Sequence, residues 1–183
     1  MNLRDWIFES TKGCEAVVEF GAGFFSRLKA VSDDVKYKIG IEISEVYIEQ
    51  AVDFGGLKIQ GDMREFESYI ADDLRDCAMF IDSLEHLTRK DAFSLVLRVQ
   101  KHFNRIILMV PEGDHPQLSD VTGNGQHEFQ KHRSTWYVKD IEKMGFQKIR
   151  VDADFHKNKE NKDDGAIFAV WNKVKVNMEV QNV

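Results

Sequence analysis

The chain has 183 residues, 43% of them hydrophobic and 31% charged, with a formal net charge of −6. That length suits one domain with a real core, and the acidic balance excludes bulk electrostatic capture of nucleic acid, though not a local basic patch. Cys14 and Cys77 stand in neither a CxxC nor a metal-ligand pattern, and no stretch is long and apolar enough to span a membrane, which predicts a soluble, cytoplasmic protein with reduced thiols and no membrane partner.

In chain order, Glu15–Phe20 (EAVVEF) reads as a buried strand and runs straight into Gly21-Ala22-Gly23. Glycines there let the backbone approach something closely. Phe24–Val31 reads as a short helix and Tyr37–Ile43 as a second strand. Ser44 is the expected N-cap of a helix through Val52, with Gly55 and Gly56 past its end. Leu57–Gln60 is a short third strand, and Phe66–Leu74 a weak helical segment.

Cys77–Asp82 is the fourth strand. Thr88 and Asp91 have capping-box spacing and open a helix to about His102, with Phe93, Val96, Leu97 and Val99 on one face. Arg105–Val110 is almost wholly apolar, as a central strand of a sheet covered on both faces must be. The rhythm then breaks at Glu112–Arg133, a long polar segment read as a lid over the acceptor, with Gly123 and Gly125 giving it freedom. A helix follows near Thr135–Met144, capped by Ser134, with Trp136 expected to serve packing. Phe146–Phe155 and Ala166–Trp171 are the last two strands, joined through the charged linker His156–Gly165. The whole predicts a single α/β domain over residues 1–183, its core at about 15–172 and a polar tail at 173–183.

Ligands of an open parallel sheet bind beyond the carboxyl ends of the strands, where strand order reverses. Four successive strands end there on acids: Glu19, Glu42, Asp62 and Asp82. Any one of them is an ordinary loop acid, but four at one edge point to a ligand. Glu42 stands about 20 residues beyond Gly21, the separation at which an acid meets the ribose hydroxyls of an adenosine. A GxGxxG reading fails at Ser26, which weakens a nicotinamide-binding alternative, and no Gly-Lys-Ser/Thr run supports a P-loop.

These residues carry a resemblance. EFGAG, IGIEIS, GDM, FIDSLEHL and the closing pair GFQKIRVDADF and AIFAVW together resemble the class I, seven-stranded Rossmann-like S-adenosylmethionine-dependent methyltransferases. The resemblance implies a mostly parallel sheet with helices on both faces and a C-terminal antiparallel strand pair. It implies S-adenosylmethionine as cofactor, with Glu19 toward its ammonium and Gly21, Ala22 and Gly23 giving it room. Glu42 would hold the ribose and Ile43 the adenine face. Asp62 would accept from the adenine amino group beside Met63, and Asp82, Ser83 and Leu84 would line the methionine end. One departure stands out: Phe25 occupies the place of the family's third glycine.

Methyl transfer from a sulfonium needs mainly in-line positioning, plus a base when the acceptor is protonated. His86 and Glu85 are the candidates, against the plainer view that they hold a structural turn. The spacing of His115, His127 and His132, with Glu128 and Asp120, matches no metal pattern, so no metal is expected. With an acidic balance and no separate recognition domain in view, a small-molecule or sugar-like acceptor ranks ahead of a protein side chain or RNA. A non-catalytic cofactor-binding or scaffolding protein is the competing class.

Overall fold

Among the described residues seven strands are present: β1 (Ala16–Phe20), β2 (Tyr37–Glu42), β3 (Leu57–Gln60), β4 (Cys77–Ile81), β5 (Arg105–Pro111), β6 (Gln147–Asp152) and β7 (Ala166–Asn172). The structure is a computed structural model that describes residues 1–117, 125, 127–155 and 165–174. The strands form one sheet in the order β3-β2-β1-β4-β5-β7-β6. Strands β1 to β5 run parallel, while β7 is antiparallel to both β5 and β6. Strand order reverses between β1 and β4, which opens the crevice where ligands of such sheets bind.

The helices are α1 (Leu3–Thr11), α2 (Glu45–Glu49), α3 (Arg89–His102), α4 (His127–Gln130) and α5 (Val138–Lys143). They cover both faces of the sheet. Leu95, Val96 and Val99 of α3 and Ile141 of α5 pack with Phe20, Phe80 and Leu108 on one face. Trp6 and Ile7 of α1 pack with Val17, Met79 and Phe168 on the other. The expected fold class holds.

Several local expectations change. Helix α1 was not foreseen; its apolar residues are too few to announce a helix, yet Trp6 and Ile7 are buried, so the packed region starts well before residue 15. Phe24–Val31 contains only a 3-10 turn at Ser26–Ala30, because Phe25 takes a left-handed backbone with φ of 63°. The helix after Ser44 stops at Glu49, although Ser44 caps it as predicted, accepting from Tyr47 N–H. In place of a helix at Phe66–Leu74 stand two 3-10 turns, Met63–Ser68 and Asp72–Leu74. On α3 the buried face runs through Ala92, Leu95, Val96 and Val99, while Leu97 is exposed and Phe93 only partly covered. Helix α5 begins at Val138 behind Tyr137, whose N–H donates to Asp140; Ser134 instead bonds back to the turn after β4. The linker 156–164, the tail beyond 174 and the lid stretch 118–124 lie outside the described residues.

Phe25 explains how the chain manages without the third glycine. Its ring is fully buried and stacks on Phe54 at 5.4 Å between centroids. Room for it comes from β2: a Cβ on Gly40 would stand 2.5 Å from the Phe25 ring. The missing glycine is thus matched by another glycine, on the neighbouring strand. Gly40→Ala is expected to lower stability by about 1–3 kcal/mol through overpacking, measured by urea unfolding. An unchanged unfolding midpoint would sink this account of the Phe25 pocket.

Candidate cofactor and acceptor site

The crevice between β1 and β4 is shaped by two tight backbone positions. Gly21 has φ of 71°, and a Cβ there would lie 2.8 Å from the Cβ of Ser83. Glycine is required for both the conformation and the approach. Opposite it, Asp82 is a non-glycine residue in the left-handed region, with φ of 48°. Its N–H donates to Met109 O of β5, and its carboxylate pairs with Arg27 at 2.8 Å. Gly23 is also left-handed and faces open space, so a Cβ there would meet nothing within 4 Å.

Glu19 is the most unusual residue of the crevice. It lies on β1 with zero exposure, and neither carboxylate oxygen has a hydrogen-bond partner among the described residues. Burial, opposed by the Arg27 charge and reinforced by Glu42, pushes its pKa up to about 8. A buried carboxyl without partners awaits a cation or a proton.

The other strand-end acids are more engaged than expected. Glu42 accepts from Gly23 N–H at 2.8 Å through one oxygen and from Ser44 N–H at 2.9 Å through the other. It ties the glycine turn to the start of α2, and the remaining lone pairs of each oxygen stay available for hydroxyl donors. Burial raises its pKa, and backbone N–H groups of Ser44, Gly23 and Ile43 work against that shift. Asp62 caps the 3-10 turn at Met63–Ser68 through Arg64 N–H and grips the Arg64 guanidinium with both oxygens. That grip holds its carboxyl below the usual range. Met63 is partly buried against the core, and Ile43 is 40% exposed, open to an aromatic face. Ser83 is buried with its hydroxyl unpartnered among the described residues, at the crevice floor. Leu84 is fully buried and packs within the core cluster, between buried Ser83 and Glu85.

Glu85 and His86 follow at that turn. Glu85 is buried and its Oε2 has no partner among the described residues. Burial, then the charge of Asp82, drives its pKa well up. The backbone oxygen of Glu85 accepts from both Arg133 and Ser134, which pins the chain at 132–134 beside this turn. His86 Nδ1 lies 3.3 Å from Lys131 O, an atom that can only accept. In the neutral ring a bond to that carbonyl puts the proton on Nδ1 and the lone pair on Nε2. Burial first, and the His132 ring second, lower the His86 pKa to about 4, so the ring is neutral. His132 contacts it edge-to-face at 5.1 Å between centroids.

Sequence spacing announced no metal site, yet the fold joins distant positions. One ligand atom each from Glu85, His86 and His132 lie within 4.8 Å of one another, a set that could hold a cation. His132 and Arg27 were the positions that sequence reasoning did not assign. No short-range pattern could reveal them, since each reaches the site from a separate loop. His115 lies near Glu112 O instead. The side chains of His127 and Asp120 lie outside what is described.

No family model and no curated protein matches the sequence. Solved structures do match. The small RNA methyltransferase HEN1 aligns with 92% of this chain and 24% of its own at a TM-score of 0.65 and 16% identity, so this chain spans about a quarter of that protein. A SAM-dependent methyltransferase from Archaeoglobus fulgidus aligns over 92% and 91% of the two chains at 0.59 and 18% identity. The protein has the class I methyltransferase fold. The N-terminal domain of EvdMO1, solved with SAH and D-fucose, aligns over 93% and 81% at 0.60 and 14% identity. Within this methyltransferase fold the terminal β5-β7-β6 arrangement is the reversed hairpin expected from the sequence. Among the described residues, no helix is long and apolar enough to cross a membrane.

The Glu19 shift makes a stability prediction. Its folded pKa, about 8, lies above the ordinary 4.5, so the folded state holds the proton longer than the unfolded chain does. Stability is therefore lost as pH rises from about 4.5 and stops falling near 8. Glu19→Gln stays neutral throughout. Its stability relative to the parent should climb with pH over that window by up to about 1.4 kcal/mol per unit, read by urea unfolding at a series of pH values. A constant difference between the two proteins would show that Glu19 is not held neutral.

Proposed function

We propose that this protein transfers the methyl group of S-adenosylmethionine to a hydroxyl of a sugar-like acceptor. The observation that carries the reading is Glu19, a buried carboxyl with both oxygens unpartnered among the described residues, at the end of β1 beside Gly21. An ammonium group satisfies it, and the cofactor has one. Glu42, beside the left-handed Gly23, has lone pairs for the ribose hydroxyls, and exposed Ile43 suits the adenine face. Asp62 already serves Arg64, so its expected role toward the adenine amino group rests on whatever acceptor capacity that ion pair leaves. When bound, the cofactor supplies a methyl group activated by its sulfonium.

The protein's own task is then to place the acceptor and take its proton. Glu85 and His86 follow Asp82 and Ser83 directly in the turn after β4, which sets them beside the methionine end in this reading. Similar folds include a small RNA methyltransferase and the N-terminal domain of EvdMO1, solved with SAH and D-fucose. A sugar hydroxyl is common to RNA and D-fucose, which supports that acceptor class while leaving RNA as a rival.

A second reading concerns how the proton is lost. A pKa of about 4 makes His86 a poor base but a ready ligand, because its neutral form persists. Together with Glu85 and His132 it offers the carboxylate and imidazole donors that suit a divalent first-row cation. Its positive charge would also favour ionised Glu85, reversing the effect of burial.

Calorimetry with S-adenosylmethionine should show a single site. Glu19→Gln should weaken it roughly ten- to hundredfold, as expected for losing a charged hydrogen-bonding partner. Between about pH 5.5 and 7.5 the parent's affinity should rise with pH, since binding expels the Glu19 proton, while the variant's stays flat. Equal affinities, or a response to NAD instead, would overturn the cofactor assignment. Labelled cofactor offered with sugar, RNA and protein fractions then reads the acceptor; binding with no transfer to any fraction would favour the scaffolding alternative.

For the cation, protein stripped with EDTA and titrated with manganese chloride should bind at one site, more tightly as pH rises and Glu85 ionises. His132→Ala should abolish that binding. Heat of binding indistinguishable between the two proteins would dismiss the three-residue site.

A further inference from the structure

Asp62 stands just past the carboxyl end of β3, where Glu42 of β2 pairs in register with Gln60 and Gly61 N–H donates to Glu42 O at 2.9 Å. It is held beside the acid proposed for the ribose, yet its carboxylate is turned to its own chain. Oδ1 accepts from Arg64 N–H at 2.9 Å and from Arg64 Nε at 3.0 Å. Oδ2 accepts from the same Nε at 2.9 Å and from Nη2. A carboxylate has about four lone-pair sites. Arg64 draws on both oxygens, so a ligand amino group meets a carboxylate already in use.

Three features let this grip open without disturbing the turn. The Arg64 side chain is 45% exposed and that of Asp62 25%, and an ion pair so open to water contributes little. Asp91 of α3 offers the guanidinium a second anion, with its Oδ2 3.7 Å from Arg64 Nη1 and fixed by the Thr88 hydroxyl at 2.9 Å. The turn itself is fastened elsewhere: the Arg64 carbonyl oxygen accepts from Arg98 Nη2, and Arg98 Nη1 donates to both Glu67 oxygens. The side chain of Arg64 can therefore leave while its backbone stays.

We infer that Arg64 is a specificity-determining residue, one that competes with the purine amino group of the cofactor for the Asp62 carboxylate. The inference rests on the cofactor reading above and concerns this chain's own residues toward that group. A ligand that needs a free carboxylate binds with an affinity lowered by the fraction of time the carboxylate is engaged. Arg64 thus weakens the hold on the cofactor and blunts the reading of its amino group. The strength of an exposed ion pair sets the scale, which is about two- to fivefold in affinity.

The test is calorimetry on the full chain with two ligands, S-adenosylhomocysteine and its analogue with hydrogen in place of the purine amino group. Neither carries a sulfonium charge, so loss of a protein cation acts alike on both through space. Arg64→Met keeps the side chain's reach and removes its donors. It should bind S-adenosylhomocysteine about two- to fivefold more tightly than the parent and the analogue no more tightly, so the ratio of the two affinities widens by that factor. With Asp62→Ala already in place, Arg64→Met should change neither affinity. Arg64→Lys, which keeps the charge and loses the fork, should fall between parent and Arg64→Met, and reads the same competition should Arg64→Met fold poorly. Unchanged or weaker binding of S-adenosylhomocysteine by these variants, or an equal gain for both ligands, would overturn the inference and leave the cofactor reading standing. A parent protein that binds neither ligand would overturn the cofactor reading and this inference with it.

Discussion

The close approach of Gly21 to Ser83, where a Cβ would come within 2.8 Å, is the constraint on which the site depends. It sets the turn after β1 directly against the turn after β4, at the point where strand order reverses. Around that contact Glu19 is fully buried on β1, Asp82 takes a left-handed backbone, and Leu84 packs into the core. The crevice keeps its charges only because the glycine gives up its side chain.

The result is an edge rich in acids that are short of positive charge. Arg27 bonds to Asp82 and also acts on Glu19 and Glu85, a single guanidinium spread over three carboxyls. Burial raises Glu19, Glu42 and Glu85 alike. Such a region costs stability in the empty protein and returns it when a cationic group arrives. That is the physical logic of a binding site: groups poorly satisfied by the fold itself are the ones a ligand completes. Asp62 is the contrast. Arg64 already satisfies it, and its carboxyl is shifted the opposite way.

Around this edge the chain uses compensations rather than ideal parts. Phe25 stands where a glycine is usual, and Gly40 on the next strand supplies the space its ring requires. Arg133 and Ser134 both donate to the Glu85 backbone oxygen, so the same turn that carries Glu85 and His86 also anchors His132 beside them. One turn after β4 therefore organises both the proposed methionine end and the proposed acceptor side.

Strand positions, the α/β class and the antiparallel ending were legible in the sequence because apolar runs and their lengths report burial directly. The row of acids at the strand ends, Glu19, Glu42, Asp62 and Asp82, was legible for the same reason: a strand's end tells which edge a residue faces. The long α3 could be read from its cap, Thr88, though its buried face was misjudged at Leu97, which is 52% exposed. Helix α1 and the true extent of the short helical segments were not legible: α2 ends at Glu49 rather than Val52, and 3-10 turns stand at Ser26–Ala30 and Met63–Ser68, because packing against the sheet rather than their own propensity holds them. Nor could spacing reveal that Glu42 would bind Gly23 and Ser44, that Asp62 would be claimed by Arg64, or that His132 would come to rest against His86. The sequence by itself determined which residues are strands, which edge bears the acids, and what fold they build, because those follow from local apolar pattern. Only the tertiary structure decided which acids stay unsatisfied and which distant histidine joins them, because desolvation and charge pairing depend on neighbours that the chain brings together from separate loops.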